Sequence, residues 1–310
     1  TYTIYFTCKD LIGENYIHNS TSFYVDSIAP YITATAPEGI QTTTSATIYA
    51  NTSTNASCRY STTDQNFSSM TDFTNTGTTE HNKSITAEQG LNTYYIRCND
   101  SFGNTMTSSA LIIFEVDSIA PTSPSLISPA NDSYLNQTPT FSWGASSSAV
   151  NYTINITNST GTVNYSTTNL TTFTPQTLEE ENYTWKVRAV DSAGNTGDWS
   201  QSRTLTIDTT QPVLSDPLPT TNQTSRSFLV SINASETGLT CKFDPDVSTY
   251  DEMGYHMTDL GTEIYQSYLT VPSDDTYNIS FACQDSAENI GTFSTGDFSI
   301  DSIAPYITAT

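Results

Sequence analysis

The ten residues DSIAPYITAT occupy positions 26–35 and return unchanged at positions 301–310. The opening of that phrase also occurs twice in between, so the chain carries VDSIAP from Val25, VDSIAP from Val116, IDTTQP from Ile207 and IDSIAP from Ile300. The aspartates stand at positions 26, 117, 208 and 301, a period of 91–93 residues. Solenoid and propeller repeats run to about 20–50 residues, so a period this long belongs to whole small domains repeated in tandem. Ahead of each aspartate lies a turn: KDLIGEN, NDSFGN, VDSAGN and QDSAEN. Asp, Gly and Asn supply the positive φ angles and the side-chain-to-backbone bonds of a tight loop.

Each turn follows a stretch of alternating character. One face carries Tyr2, Ile4, Phe6 and Cys8, and the second copy gives Asn92, Tyr94, Ile96 and Cys98. The third and fourth give Tyr183, Trp185, Val187, Ala189 and Tyr277, Ile279, Phe281, Cys283. Residues between them are mostly polar, as a half-buried antiparallel strand requires. A second β-rich run, ALIIFEV, SRTLTI or TGDFSI, then leads to the next linker. No segment has a helical period. The chain is all-β, and a unit of this length with frequent turns reads as a seven-stranded sandwich. Residues 26–116, 117–207 and 208–300 are three complete units by this count. Residues 1–25 read as the last two strands of a preceding unit, and 301–310 as the first strand of a following one. The sequence is therefore expected to be an excerpt from a longer array.

Five cysteines divide along the same lines. Cys58 and Cys98 fall in one unit, Cys241 and Cys283 in another, about 40 residues apart each time. In a sandwich that gap is expected to place them on facing strands of opposite sheets, joined across the core. Such bridges imply an oxidising compartment. Cys8 shares the register of Cys98 and Cys283, so its partner is expected outside these 310 residues. The competing reading, a catalytic thiol, lacks a histidine in a general-base pattern.

Composition narrows the function. Thirty-two acidic against nine basic residues leave a formal charge of −23. That argues against nucleic acid, whose binding rests on basic surface, and against docking on anionic lipid. No apolar run approaches the ~18–20 residues of a membrane-spanning helix.

At three places the sequence resembles known families. TPTFSW, VNYTINITNS and ENYTWKVRAVDSAGNTGDWS, within residues 117–207, resemble the fibronectin type III-like repeats of prokaryotic surface proteins. The resemblance implies a core anchored by Trp143 on an early strand and Tyr183 at the last corner. Residues 26–116 and 208–300 resemble immunoglobulin-like surface repeats, through CRYSTTDQNFSSM…YYIRCND and CKFDPDVSTYDEM…ISFACQD. Asn92 stands where the other units have Tyr, so the tyrosine-corner bond is expected to be absent there. The resemblance implies a cell-surface setting; such sandwiches serve stalks, filaments and adhesins alike.

Acceptor sequons for N-linked sugar, Asn-x-Ser/Thr, are dense. They begin at Asn19, Asn51, Asn55, Asn66, Asn82, Asn99, Asn131, Asn136, Asn151, Asn155, Asn158, Asn164, Asn169, Asn182, Asn222, Asn233 and Asn278. With 23 Asn and Ser plus Thr near 31%, chance gives about seven such motifs. The excess favours real glycosylation. Crowded pairs such as Asn155 and Asn158 are not expected to be occupied together.

Catalytic signatures are missing. The three histidines, His18, His81 and His256, have no metal-ligand spacing. MGYHM at residues 253–257 reads as core methionine beside a surface histidine. DPDVSTYDE from Asp244 starts like an EF-hand loop but has Thr249 where Gly is needed and Tyr255 where a bidentate Glu belongs. Calcium is the one ligand the sequence offers, at junctions where Asp26, Asp117, Asp208 or Asp301 could approach Asp100, Asp191 or Asp285. Lys–Asn isopeptide bonds have little to draw on, with four lysines and Lys186 alternating outward. The expected function is a glycosylated, non-catalytic structural array at a cell surface, its partners being further repeats or copies of itself and its N-linked glycans. The alternatives are an adhesin holding a sugar or protein in its loops, with Trp199 as the best exposed aromatic, and a spacer for an enzyme elsewhere in the chain.

Overall fold

The computed structural model describes residues 1–11 and 16–305. Most of the first turn (12–15) and the end of the final repeated phrase (306–310) lie outside the described residues. The chain divides into two compact units, one of residues 1–120 with the loop Asp191–Asn195, the other of the remainder from residue 121. Among the described residues the only helix is one 3-10 turn at Phe67–Ser69.

In the first unit, strands between Ile32 and Val116 form a three-stranded and a five-stranded sheet around one core. The three-stranded sheet is Ile32–Ala36, Ser45–Thr52 and Glu80–Thr86. The five-stranded sheet runs Ile40–Gln41, Ala110–Val116, Gly90–Asn99, Ser57–Ser61 and Thr71–Asp72. The first strand is thus broken so that each half joins a different sheet, the second half parallel to Ala110–Val116. Alternation decides what is buried: Tyr94, Ile96 and Cys98 face inward, as do Ile112, Phe114 and Val116 on the neighbouring strand.

Ahead of this sandwich, Tyr2–Lys9 pairs antiparallel with Tyr16–Phe23. The apolar face read from the sequence is exposed here: Tyr2 at 61%, Ile4 and Phe6 at 47%. A two-stranded hairpin has no second sheet to cover it.

In the second unit, the middle sandwich repeats the plan. Leu126–Ser128, Phe141–Trp143 and Thr172–Phe173 form one sheet. Ser133–Leu135, Arg203–Ile207, Asn182–Asp191, Ala149–Asn158 and Gly161–Thr168 form the other. Trp143, Tyr183, Trp185 and Val187 are buried in its core. Here Ser133–Leu135 lies parallel to Arg203–Ile207. The third sandwich has two four-stranded sheets and the small pair Thr276–Tyr277 and Phe298–Ser299. Its core includes Phe228, Val230, Phe243, Tyr265, Phe281 and Phe298.

The corners are each held by a bond to a carbonyl four residues back. Tyr183 donates its hydroxyl to the carbonyl of Glu179 (3.0 Å), and Tyr277 to that of Ser273 (3.0 Å). Where Asn92 replaces the tyrosine, the phenolic bond is absent but its target is not abandoned. The buried Asn92 amide donates to the carbonyls of Glu88 (2.7 Å) and Gly90 (2.8 Å), while its Oδ1 accepts the Glu88 N–H (3.1 Å). A short amide folded back on its own loop satisfies the carbonyl that a long phenol reaches elsewhere.

Candidate functional site: the linker clasps

The disulfides join the expected cysteines in an unexpected place. Cys58 lies opposite Cys98, and Cys241 opposite Cys283, on neighbouring antiparallel strands of one sheet. Their Cα separations are 4.1 and 4.0 Å. The expectation of a bridge across the core between two sheets is therefore wrong. A sequence gap of 40–42 residues separates adjacent strands here because an excursion through the other sheet intervenes. Cys8 is exposed and unbridged.

The repeated linker residues and the repeated turns come together through hydrogen bonds. In the loop after Gly90–Asn99, Asp100 Oδ1 accepts the backbone N–H groups of Phe102 and Asn104, each at 2.9 Å. Asp100 Oδ2 accepts Asn104 Nδ2 at 2.8 Å, and the same amide donates to the backbone carbonyl of Asp26 at 3.2 Å. The identical arrangement joins Asp191, Asn195 and the Asp117 carbonyl (2.8 Å). It recurs with Asp285, Asn289 and the Asp208 carbonyl (2.9 Å). The loop aspartate thus sets the asparagine, and the asparagine holds the linker backbone. Each linker aspartate spends its own Oδ1 on the N–H two residues on, in Ile28, Ile119, Thr210 and Ile303.

A second grip comes from the preceding sandwich. Gln89 Oε1 accepts from both N–H (3.1 Å) and Oγ (2.9 Å) of Ser118. Glu180 accepts from N–H and Oγ1 of Thr209 and from Oγ1 of Thr210 (2.8 Å). Asp274, paired with Arg226 at 2.8 Å, accepts from N–H and Oγ of Ser302. Glycine completes the fit in two of the three loops. A Cβ on Gly197 would stand 2.3 Å from the Pro121 carbonyl oxygen, and one on Gly291 1.9 Å from that of Pro212. No side chain fits so close a backbone approach.

The electrostatics follow. Hydrogen bonds from Asn104 hold Asp100 below the usual carboxylate range, those from Thr210 and Thr209 do so for Glu180, and those from Arg226 and Ser302 for Asp274. Asp191 is raised by burial but ends below its ordinary value through Asn195. Glu236 moves the other way, pushed up by burial and by the nearby Asp285 and Asp208. A cleft of about 470 Å³ beside this linker is lined by Glu180, Glu181, Asp208 and Glu236. Both carboxylate oxygens of Asp100, Asp191 and Asp285 accept N–H groups within their own loops. Among the described residues no three acidic, histidine or cysteine side chains are placed to hold a metal. The sequence singled out the two aspartates of each junction; the asparagine that connects them was seen only as a turn residue.

Other candidates resolve into structure. Asp244 is buried and accepts the N–H groups of Asp246, Val247 and Gly254. Met253 is buried and His256 exposed. Trp199 lies half-buried with Lys186 Nζ 5.0 Å and Arg188 Cζ 4.7 Å from its ring, a cation–π stack on its own sheet. None of the seventeen sequon asparagines is buried.

Comparison with known proteins now places the middle sandwich. Residues 119–209 match the bacterial Ig-like domain family. The described residues hold a two-stranded hairpin and three β-sandwiches in tandem, and the middle sandwich is the segment that matches. Among solved structures, fibronectin(III)-like modules of Clostridium thermocellum CbhA align at 13% identity and TM-score 0.39, over 60% of this chain and 99% of theirs. The FN1–FN3 domains of chicken CNTN1 align at 13% and 0.38, over 84% and 98%. A tetra-tandem repeat in the extending region of a large adhesion protein aligns at 18% and 0.35, over 97% and 81%. No curated protein matches the sequence.

Proposed function

We propose that this segment is a non-catalytic structural region of an extracellular, N-glycosylated surface filament or stalk. Its units run 26–116, 117–207 and 208–300, and its partners are further repeats or copies of itself. The observation that carries this reading is the repetition of the clasp. The same asparagine-to-carbonyl bond at Asp26, Asp117 and Asp208 fixes the chain where it enters each sandwich, a use that repeats with the domain as a structural array requires. Sequon asparagines confined to non-buried positions support sugar attachment, and the disulfides support an oxidising, extracellular setting. Cys8 would pair with a cysteine-bearing strand of its own sandwich, as Cys98 and Cys283 do.

Electron microscopy of native, sheared surface material tests the reading. Long uniform fibres with a repeat commensurate with these units are expected; short flexible stalks ending in a distinct head would overturn it in favour of an adhesin or a tethered enzyme.

A further inference from the structure

A cleft of about 610 Å³ lies away from the linkers, over strands of the middle sandwich and the turns that join them. It lies on the outer face of the middle sandwich, and its chemistry is specific. Three strands bring three residues into one row there. Tyr134 is the register partner of Thr206 across the parallel pair, and Thr206 is the partner of Asn182 across the antiparallel pair. Partners in a sheet share a face, and two strand spacings put the ends of the row about 10 Å apart. Tyr134 is 52% exposed, and Asn182 is exposed as well.

Asn182 begins the sequon Asn182-Tyr183-Thr184. Its Oδ1 is fixed by the Thr206 hydroxyl at 2.6 Å, which leaves Nδ2, the atom that carries an N-linked sugar, unengaged by the described residues. The other sequon asparagine of the cleft, Asn158, is committed, since its Nδ2 donates to Glu181 Oε2 at 2.7 Å. The remaining lining mixes the apolar Leu205 and Tyr183 with hydroxyls and carboxylates that bond one another, Thr204 with Asp132 and Ser159 with Glu181. An aromatic face flanked by hydroxyl, amide and carboxylate groups is the chemistry that receives a sugar ring, apolar side stacked and hydroxyls hydrogen-bonded.

We propose that this cleft is the bed of the protein's own glycan, attached at Asn182 and lying across Thr206 onto the ring of Tyr134. The proposal rests on the glycosylation reading above and adds the site and the seat of the sugar. It also ranks the two sequons of the cleft, Asn182 occupied and Asn158 open.

The test uses protein from the native cell or a glycosylating host. Cleavage after Glu181 and Lys186 isolates Asn182 in a five-residue peptide for mass analysis. Nitration of Tyr134 by tetranitromethane reports the bed, with buried Tyr183 as an internal control. The expected result is a glycan on Asn182 and nitration of Tyr134 slower in the glycosylated protein than in Asn182→Gln. Thr184→Ala, which removes the sequon but keeps Asn182, should match Asn182→Gln. Equal nitration with and without the Asn182 glycan would overturn the bed. Shielding that persists in both variants would assign the cleft to another occupant and overturn it too. Glycans elsewhere with Asn182 bare would overturn this site alone, whereas a chain bare at every sequon would overturn the glycosylation reading with it.

Discussion

At the scale of the residue, short polar side chains do work that length or charge does elsewhere. Asn289 is buried, with its amide shared between Asp285 Oδ2 and the Asp208 carbonyl. Asn289→Ala would leave both acceptors without that donor, and a buried acceptor stranded in this way costs about 1–3 kcal/mol. Chemical denaturation of the third sandwich is expected to show a loss in that range. A stability within about 0.3 kcal/mol of wild type would mean that water replaces the amide without penalty. His81 makes a different prediction. It is buried, its Nε2 bonds Thr52 Oγ1 at 3.0 Å, its ring meets the edge of Phe73, and its Nδ1 has no partner. Burial holds its pKa below the ordinary value, so the unfolded chain takes up this proton at higher pH than the folded one. The stability contribution is therefore complete above about pH 6.5 and is lost as pH falls from there toward the folded value. Melting of wild type should drop as pH falls below about 6.5, while His81→Gln, which keeps a partner for Thr52 and cannot titrate, should lack that drop. Parallel pH profiles for the two proteins would remove His81 from the account.

At the scale of the element, the strands were legible and the crossings between them were not. Alternation in YYIRC and YTWKVRA marks inward faces because a side-chain period of two has one buried solution. The linker was legible because it repeats. The cysteine pairs were legible as pairs, yet a spacing of about 40 residues is the same whether the chain returns to the next strand or to the opposite sheet. Register alone distinguishes these, and it puts Cys58 against Cys98 within one sheet. Asparagine in a turn looks alike in sequence whether it only bends the chain or reaches a linker 78 residues away, as Asn104 does. The row Tyr134, Thr206, Asn182 depends on a parallel pairing about 70 residues distant in sequence. Because each bridge ties two strands already paired by backbone hydrogen bonds, its removal should weaken a sandwich without unpairing its sheet. The Cys241→Ala/Cys283→Ala protein is expected to lose about 2–4 kcal/mol by denaturant titration and to keep its β circular dichroism. Loss of that spectrum would mean the bridge is needed for the fold itself.

At the scale of the molecule, what matters is how a sandwich hands over to the next, and the junction at Asp208 lies wholly within the second unit. Two grips act there: Glu180 of the middle sandwich on Thr209 and Thr210, and Asn289 of the third on the Asp208 carbonyl. Pro212 adds a fixed φ next to Gly291, where backbone meets backbone. The linker is thereby tied at both ends, by the buried Asn289 and by the exposed Glu180, and at the Glu180 end stiffness and stability should be separable. Glu180→Ala removes the acceptor on the middle sandwich while leaving Tyr183 and its bond to the Glu179 carbonyl in place. The variant should melt with wild type, yet a fragment of residues 117–305, if it purifies folded, should show a broader distribution of lengths by small-angle X-ray scattering. Chelator should leave both proteins unchanged, since the clasp oxygens are occupied by N–H and O–H donors. Acid should act on the wild-type junction instead. The folded pKa of Glu180 is depressed by Thr210 and Thr209, so its grip is present above the ordinary carboxylate range and is lost as pH falls through the lower folded value. A length distribution that broadens in chelator at neutral pH, or that Glu180→Ala leaves as narrow as wild type, would show that the connection is held by something other than these hydrogen bonds.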